Sequence, residues 1–228
     1  MPEPAKTGRP RKHSYREIIN AVFYLLSNGI KWRAMPHDFP PWSTVYGYFR
    51  RWRTQGNWQR WNTTLRQRLR KKLGRTAEPS AAILDSQSIK TAEGGDGRGY
   101  DANKRCLGRK RHLLVDTLGL LLTVLVTGAN VQDRDGAKQL LSSFYRAFWQ
   151  SFRLKRIWAD AGYGGALISW LSPGRLTSSE GKSSKLAFSS YPSAGSWSGH
   201  FLGSFAIVAC PEITSAYLRP RKRSSTSP

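Results

Sequence analysis

The apolar positions of this chain keep one period over its first third and change to another near residue 81. In YREIINAVFYLLSNG (15–29), Ile18, Ile19, Val22, Leu25 and Leu26 recur at helical spacing and share one side. Gly29 is a natural stop for that helix. A Pro-rich connection, KWRAMPHDFPPW, follows. WSTVYGYFRRWRTQG (42–56) returns to the helical period, with Val45, Tyr46, Phe49 and Trp52 as the buried stripe and Ser43 as a cap. Its other side offers Ser43, Thr44, Gly47, Tyr48, Arg50 and Arg51. NWQRWNTTLRQRLRKKLG (57–74) predicts a third helix, with Trp58, Trp61, Leu65 and Leu69 inward and six basic residues along it.

Beyond residue 80 the elements shorten. In AAILDSQSIK (81–90), Ala82, Ile83 and Leu84 predict a buried strand with Asp85 at its end. TAEGGDGRGYDANKRCLG (91–108) reads as a polar, Gly-rich loop. The next segment, 109–130, reads as a hairpin: strand 111–116, a turn at Thr117–Gly119, strand 120–127. QDRDGAKQLLSSFYRAFW (132–149) predicts a helix with Ala137, Leu140, Leu141, Tyr145 and Phe148 at helical spacing. LKRIWADAGYGG (154–165) predicts another strand, in which Ile157 and Trp158 run into Asp160. The chain therefore divides into a basic arm (1–14), a helical domain (15–75), an α/β domain (76–170) and a tail (171–228). In that tail 15 of 58 residues are serine and no period is sustained.

Charge sharpens the division. The chain carries 37 Lys+Arg against 14 Asp+Glu, a formal net charge of +23. Residues 1–75 hold 17 basic and 3 acidic side chains, so the first third has most of the excess. Such an excess favours polyanionic partners, nucleic acid first among them. A membrane surface would also suit it, but there is no apolar run of about 18 residues and no signal-peptide core at the N-terminus. Cys106 and Cys210 stand in no metal-like spacing, and a reduced cytoplasmic protein is expected.

Three short helices with a basic second or third member suit a helix-turn-helix-like module. A small basic bundle with solvated charges is the plainer alternative. The arm GRPRKHSY offers Arg9, Arg11 and Lys12 to a minor groove, or is simply solvated. In the body, both lone strand ends deliver a carboxylate. Either aspartate alone reads as a strand cap. Together, on neighbouring strands of a mixed sheet, Asp85 and Asp160 could ligate Mg²⁺, which prefers hard oxygen ligands and keeps some waters. Two-metal phosphoryl-transfer sites are built from such converging carboxylates.

The strings ILDSQSIKTAEGG, GYDANKRCLGRKRHLLVDTLGLLLTVLVTGANVQDRDGA and RIWADAGYGGAL resemble bacterial insertion-sequence transposases of the DDE type, in the IS4/IS5 superfamily. The N-terminal segment resembles the helical domain that precedes the catalytic domain there, so the resemblance covers about residues 8–170. It implies an RNase H-like catalytic fold. It implies cutting at the element's ends and joining to target DNA with Mg²⁺ or Mn²⁺, and a homodimer holding two ends of double-stranded DNA. Asp85 and Asp160 would be the first two acids of the triad as catalytic and metal-binding residues. Lys110, Arg111 and His112 of GRKRHLLVD would lie near the DNA backbone, and the protein would be cytoplasmic, associated with the nucleoid.

The resemblance stops near Ala166. The third acid of the family, a glutamate on a helix, has no counterpart: Glu180 and Glu212 stand in unlike settings. Codons read one nucleotide back repair this. IVACPEITSAYLRPRKRSSTSP can then encode Arg-Arg-Leu-Ser-Arg-Asp-Tyr-Glu-Arg-Leu-Pro-Glu-Thr-Ser-Glu-Ala-Phe-Ile-Tyr-Val-Ala, and a glutamate codon can straddle Trp197 and Ser198. A change of frame between about 166 and 186 is inferred, through a lost nucleotide or through programmed slippage. The expected result is a truncated RNase H-like domain with impaired catalysis and a poorly ordered tail. A non-catalytic protein that occupies terminal repeats is the alternative.

Overall fold

The computed structural model describes residues 11–91, 97–148, 153–160, 163, 167 and 170, and the backbone of 187–190. Helix α1 (Tyr15–Asn28) begins at a capping box: Glu17 N donates to Ser14 Oγ at 3.2 Å, and Ser14 N to Glu17 Oε2 at 3.0 Å. It ends at Gly29, whose φ of 63° is the left-handed stop expected there. A 3₁₀ turn (Trp32–Ala34) leads to α2 (Trp42–Thr54) and α3 (Asn57–Lys72). Ile18, Val22, Leu25, Val45, Phe49, Trp52 and Trp58 form one buried cluster. The helix starting at Trp42 has Pro41 as its N-cap and no side-chain cap, so Ser43 lies inside the first turn instead of before it.

Helix α3 departs from the expected stripe. Trp58 is buried, but Leu65 and Leu69 are 50% and 41% exposed, while Arg66 and Arg70 are buried. The arginines have polar partners on the sheet, which apolar periodicity cannot see. Arg70 pairs through Nη1 with the fully buried Asp116. Arg66 donates to Leu121 O at 3.3 Å and pairs with Glu78 at 3.4 Å. Asn62 Nδ2 donates to the same carbonyl at 3.0 Å. This buried polar seam joins the helical domain to the β-hairpin.

The second domain is a mixed sheet. Strand β1 (Ala81–Lys90) lies at its centre, antiparallel to β3 (Cys106–Asp116) and parallel to β5 (Arg156–Ala159). Strand β4 (Leu121–Gly128) continues the hairpin beside β3, and β2 (Gly99–Asp101) pairs with the start of β3. β6 (Ala187–Ser190) runs parallel beside β5. Helix α4 (Asp133–Phe148) packs one sheet face, burying Ala137, Leu140, Leu141 and Phe144 against Leu84, Leu114, Leu122 and Ile157. The opposite face carries Leu113, Val115 and Leu121, with Ile83 and Val124 packed against them.

The expected α/β architecture behind N-terminal helices is thus present, with two corrections to its strands. β1 does not stop at Asp85: it runs five residues further, because Ser86–Lys90 continue the ladder with Gly108–His112. The expected loop 91–108 contains β2 and the start of β3. The tail expectation for 171–228 lies outside the described residues except at Ala187–Ser190, which extend the sheet instead of hanging from it.

Candidate functional site

Register decides where the two lone carboxylates fall. On parallel neighbours β1 and β5, Ala81 pairs with Arg156 and Ile83 with Trp158. Two residues further along each strand stand Asp85 and Asp160. Side chains alternate along a strand, so both leave the same sheet face as Ile83 and Trp158. Neighbouring strands lie about 4.8 Å apart, which brings the two aspartates side by side. Both are exposed. Desolvation pushes the Asp85 carboxyl above its ordinary range; a hydrogen bond from Ser86 N (2.7 Å to Oδ1) and the charge of Lys104 pull it back, and the charges of Asp160 and Asp133 push it further up.

Lys104 was not expected from the sequence. It donates to Ser86 O at 3.4 Å and places its charge near Asp85. Its only sequence signal was a position in a polar loop. That loop is pinned by Asp101, whose Oδ1 accepts from Asn103 N and Lys104 N at 3.1 and 3.2 Å.

Beneath the aspartates, on the α4 side of the sheet, lies a buried polar cluster. Lys110 Nζ sits 3.3 Å from Asp101 Oδ2 and 2.9 Å from Asp133 Oδ1. Ser88 Oγ donates to Asp101 Oδ2 at 2.6 Å. The Ser88 hydrogen bond, foremost, with the Lys104 backbone and Lys110, holds the Asp101 carboxyl down at about 2 against its own burial. His112 is fully buried, and its Nε2 lies 3.0 Å from Thr127 Oγ1. That hydroxyl gives its proton to Gly128 O, so it accepts from Nε2–H and leaves Nδ1 as an unpartnered lone pair. Burial pushes His112 down to about 4.

The expected DNA-binding residues separate into two groups. Ser43, Arg50 and Arg51 are exposed on one face of α2, with Thr44 half-buried beside them. Arg51 lies over the Tyr48 ring at 5.4 Å. Lys12 is exposed, and so is Arg11, whose guanidinium stacks 3.7 Å from the Tyr15 ring centre. Arg9 lies outside the described residues. Lys110, Arg111 and His112 are buried in β3. Lys110 is engaged by two carboxylates, and His112 is closed off by α4, so in this arrangement neither presents its polar atoms to a duplex.

Among the described residues no group of three His, Cys, Asp or Glu side chains is gathered closely enough to hold a metal ion. The pair Asp85 and Asp160 still fits a hard divalent cation in its donor type and in its shared face, since such ions complete their shell with water. No helix among the described residues is long and apolar enough to cross a membrane.

Residues 1–62 match the family model DUF4096, described as a transposase of the IS4/5 family, and residues 76–179 match the transposase DDE domain. The first match covers most of the helical domain and the second covers the sheet from before β1 to beyond β5. The chain belongs to the IS4/5 family of DDE-type transposases. No curated protein matches it. Among solved structures, the Mos1 transposase paired-end complex with left transposon end aligns at 11% identity and a TM-score of 0.28, over 73% of this chain and 58% of that one. The chain thus spans less than two thirds of that protein's length.

Proposed function

We propose that this chain acts on the ends of an insertion sequence, binding double-stranded DNA through residues 1–75 and presenting Asp85 and Asp160 for metal-dependent strand cleavage and transfer. The observation that carries the reading is the register of β1 against β5, which sets the two carboxylates side by side on one face of the sheet. The exposed basic face of α2 and the net charge of +23 support DNA as partner. Asp85 and Asp160 would hold Mg²⁺ or Mn²⁺, which supplies charge neutralisation of the attacked phosphate and an activated water. Ser86 N–H orients the Asp85 carboxylate, and Lys104 faces it from the loop. Arg50 and Arg51 grip phosphates of the element end or target. The domain limits follow the sequence reading: arm 1–14, DNA-binding helices 15–75, RNase H-like catalytic part 76–170, and an out-of-frame tail 171–228. Work on chromosomal DNA places it in the cytoplasm, and synapsis of two ends calls for a homodimer.

Beyond Ala166 the sequence offers only Glu180 and Glu212, neither in the setting of the family's third acid, and this favours a second reading: a protein that occupies terminal repeats without cutting them. One assay separates the two. The chain and its Asp85→Asn and Asp160→Asn variants are incubated with duplexes carrying the element's own ends, in Mn²⁺. Nicking at the ends that both substitutions abolish is the expected result for the enzyme. Binding with no nicking, unchanged by either substitution, establishes the occupant instead.

A further inference from the structure

We propose that Lys110 is a positioning residue for the Asp85–Asp160 pair and not a contact to DNA. The inference rests on the reading of those aspartates as a metal site. Lys110 is 5% exposed and bridges two carboxylates from different elements: Asp101 of β2 at 3.3 Å and Asp133 at the start of α4 at 2.9 Å. Asp101 in turn holds β1. Ser88 donates to it at 2.6 Å, and its Oδ1 accepts from the backbone N of Lys104, whose side chain donates to Ser86 O at 3.4 Å. Ser86 is the residue whose backbone N–H holds the Asp85 carboxylate. A chain of contacts therefore runs from Lys110 through Asp101 and Lys104 to Ser86 and Asp85, and a second through Asp101 and Ser88 fixes the same strand.

Tyr163 lies buried beside this cluster: it is 2% exposed and sits in the field of Asp85, Asp133 and Asp160. The strand bearing Asp85 is thus packed against carboxylates that Lys110 pairs with directly. Without the ammonium, the buried Asp101 would be left without its counter-charge, which is strongly destabilising, and the half-exposed Asp133 would lose its ion pair. Ser88 would lose a fixed acceptor, and the Asp101–Lys104–Ser86 contacts that orient Asp85 would loosen. Outer-shell partners of metal ligands are worth 10- to 100-fold in metal affinity by this route.

The test uses the full chain and two readouts: Mn²⁺ affinity from the electron paramagnetic resonance of free Mn²⁺, and affinity for a duplex as a function of salt. Lys110→Met is expected to weaken Mn²⁺ binding about tenfold with the salt slope for DNA unchanged. The triple variant Lys110→Met, Asp101→Asn, Asp133→Asn keeps an acceptor for Ser88 and leaves no buried charge uncompensated. It is expected to fold and to regain most of the Mn²⁺ affinity, which covers the case in which the single variant does not fold. A salt slope reduced by about 1 with Mn²⁺ binding intact would make Lys110 a phosphate contact and overturn the proposal. So would a folded triple variant whose Mn²⁺ affinity stays low. If Asp85→Asn also leaves Mn²⁺ binding unchanged, it is the metal-site reading itself that fails.

Discussion

His112 and Gly136 meet so closely that each explains the other. A Cβ built at position 136 would lie 2.0 Å from His112 Cε1 and 2.4 Å from Nδ1. Only glycine lets the first turn of α4 settle on the imidazole. That contact closes off Nδ1, and burial keeps the ring neutral, with a pKa lowered to about 4. The consequence for stability has a definite sign. Below pH 6.5 the unfolded chain takes up a proton at this histidine, and the folded chain does not until about pH 4. Stability contributed by neutral His112 is present in full above pH 6.5 and is lost as pH falls towards 4, by about 3 kcal/mol at most. Urea denaturation at pH 7 and pH 4.5 should show this loss, and His112→Asn should remove most of the difference. An unaltered pH dependence in the variant would mean that other groups carry it. The sequence showed this residue only inside GRKRHLLVD, where the resemblance pointed it towards DNA. Its burial depends on a glycine 24 positions away, which a local reading cannot connect to it.

At the scale of elements, most of the fold was legible. α1, α2 and α4 fall within one or two residues of the expected bounds, because apolar residues at helical spacing face a hydrophobic core. Helix α3 shows where that logic stops. Its leucines at 65, 69 and 73 are exposed and its arginines at 66 and 70 are buried, since the arginines answer to Asp116, Glu78 and the Leu121 carbonyl. Asp116 also accepts from Leu118 N and Leu120 N, at 2.9 and 2.8 Å, so one carboxylate closes the hairpin turn and anchors the helix. Its replacement should therefore be costly. Asp116→Ala leaves Arg70 buried without its partner and is expected to destabilise by about 3–5 kcal/mol. An apolar pair, Arg70→Met with Asp116→Leu, should recover part of this, but the two turn amides would still lack their acceptor. Chemical denaturation of the three variants checks the order. A single variant as stable as the parent would mean that the seam carries no net stability. The two aspartates, by contrast, were legible as lying on neighbouring strands, although Asp85 stands inside β1 and not at its end.

At the scale of the whole molecule, the seam fixes α3, and with it the helical domain, to the hairpin next to β1. The exposed face of α2 then has a set relation to the sheet that bears Asp85 and Asp160. No local pattern announced this: Arg70 and Asp116 are 46 residues apart in the chain, and Arg66 and Leu121 are 55. What the sequence did announce was the charge asymmetry, and the structure divides it. Arg66, Arg70 and Lys110 are consumed by internal partners, while Arg50 and Arg51 remain exposed on α2. Only the exposed group should exchange counterions with a duplex. Each phosphate contact contributes about 0.9 to the slope of log affinity against log salt. Arg50→Ala with Arg51→Ala is therefore expected to lower that slope by about 2 and to weaken binding on every sequence alike, without affecting Mn²⁺ binding. Asp85→Asn should do the reverse, leaving the slope in place while Mn²⁺ binding falls. A fluorescence-anisotropy titration across a salt series separates the two behaviours. A slope that survives the loss of both arginines would move the DNA-binding face away from α2. A slope and a metal affinity that fall together in either variant would mean that grip and chemistry are not divided between the two domains.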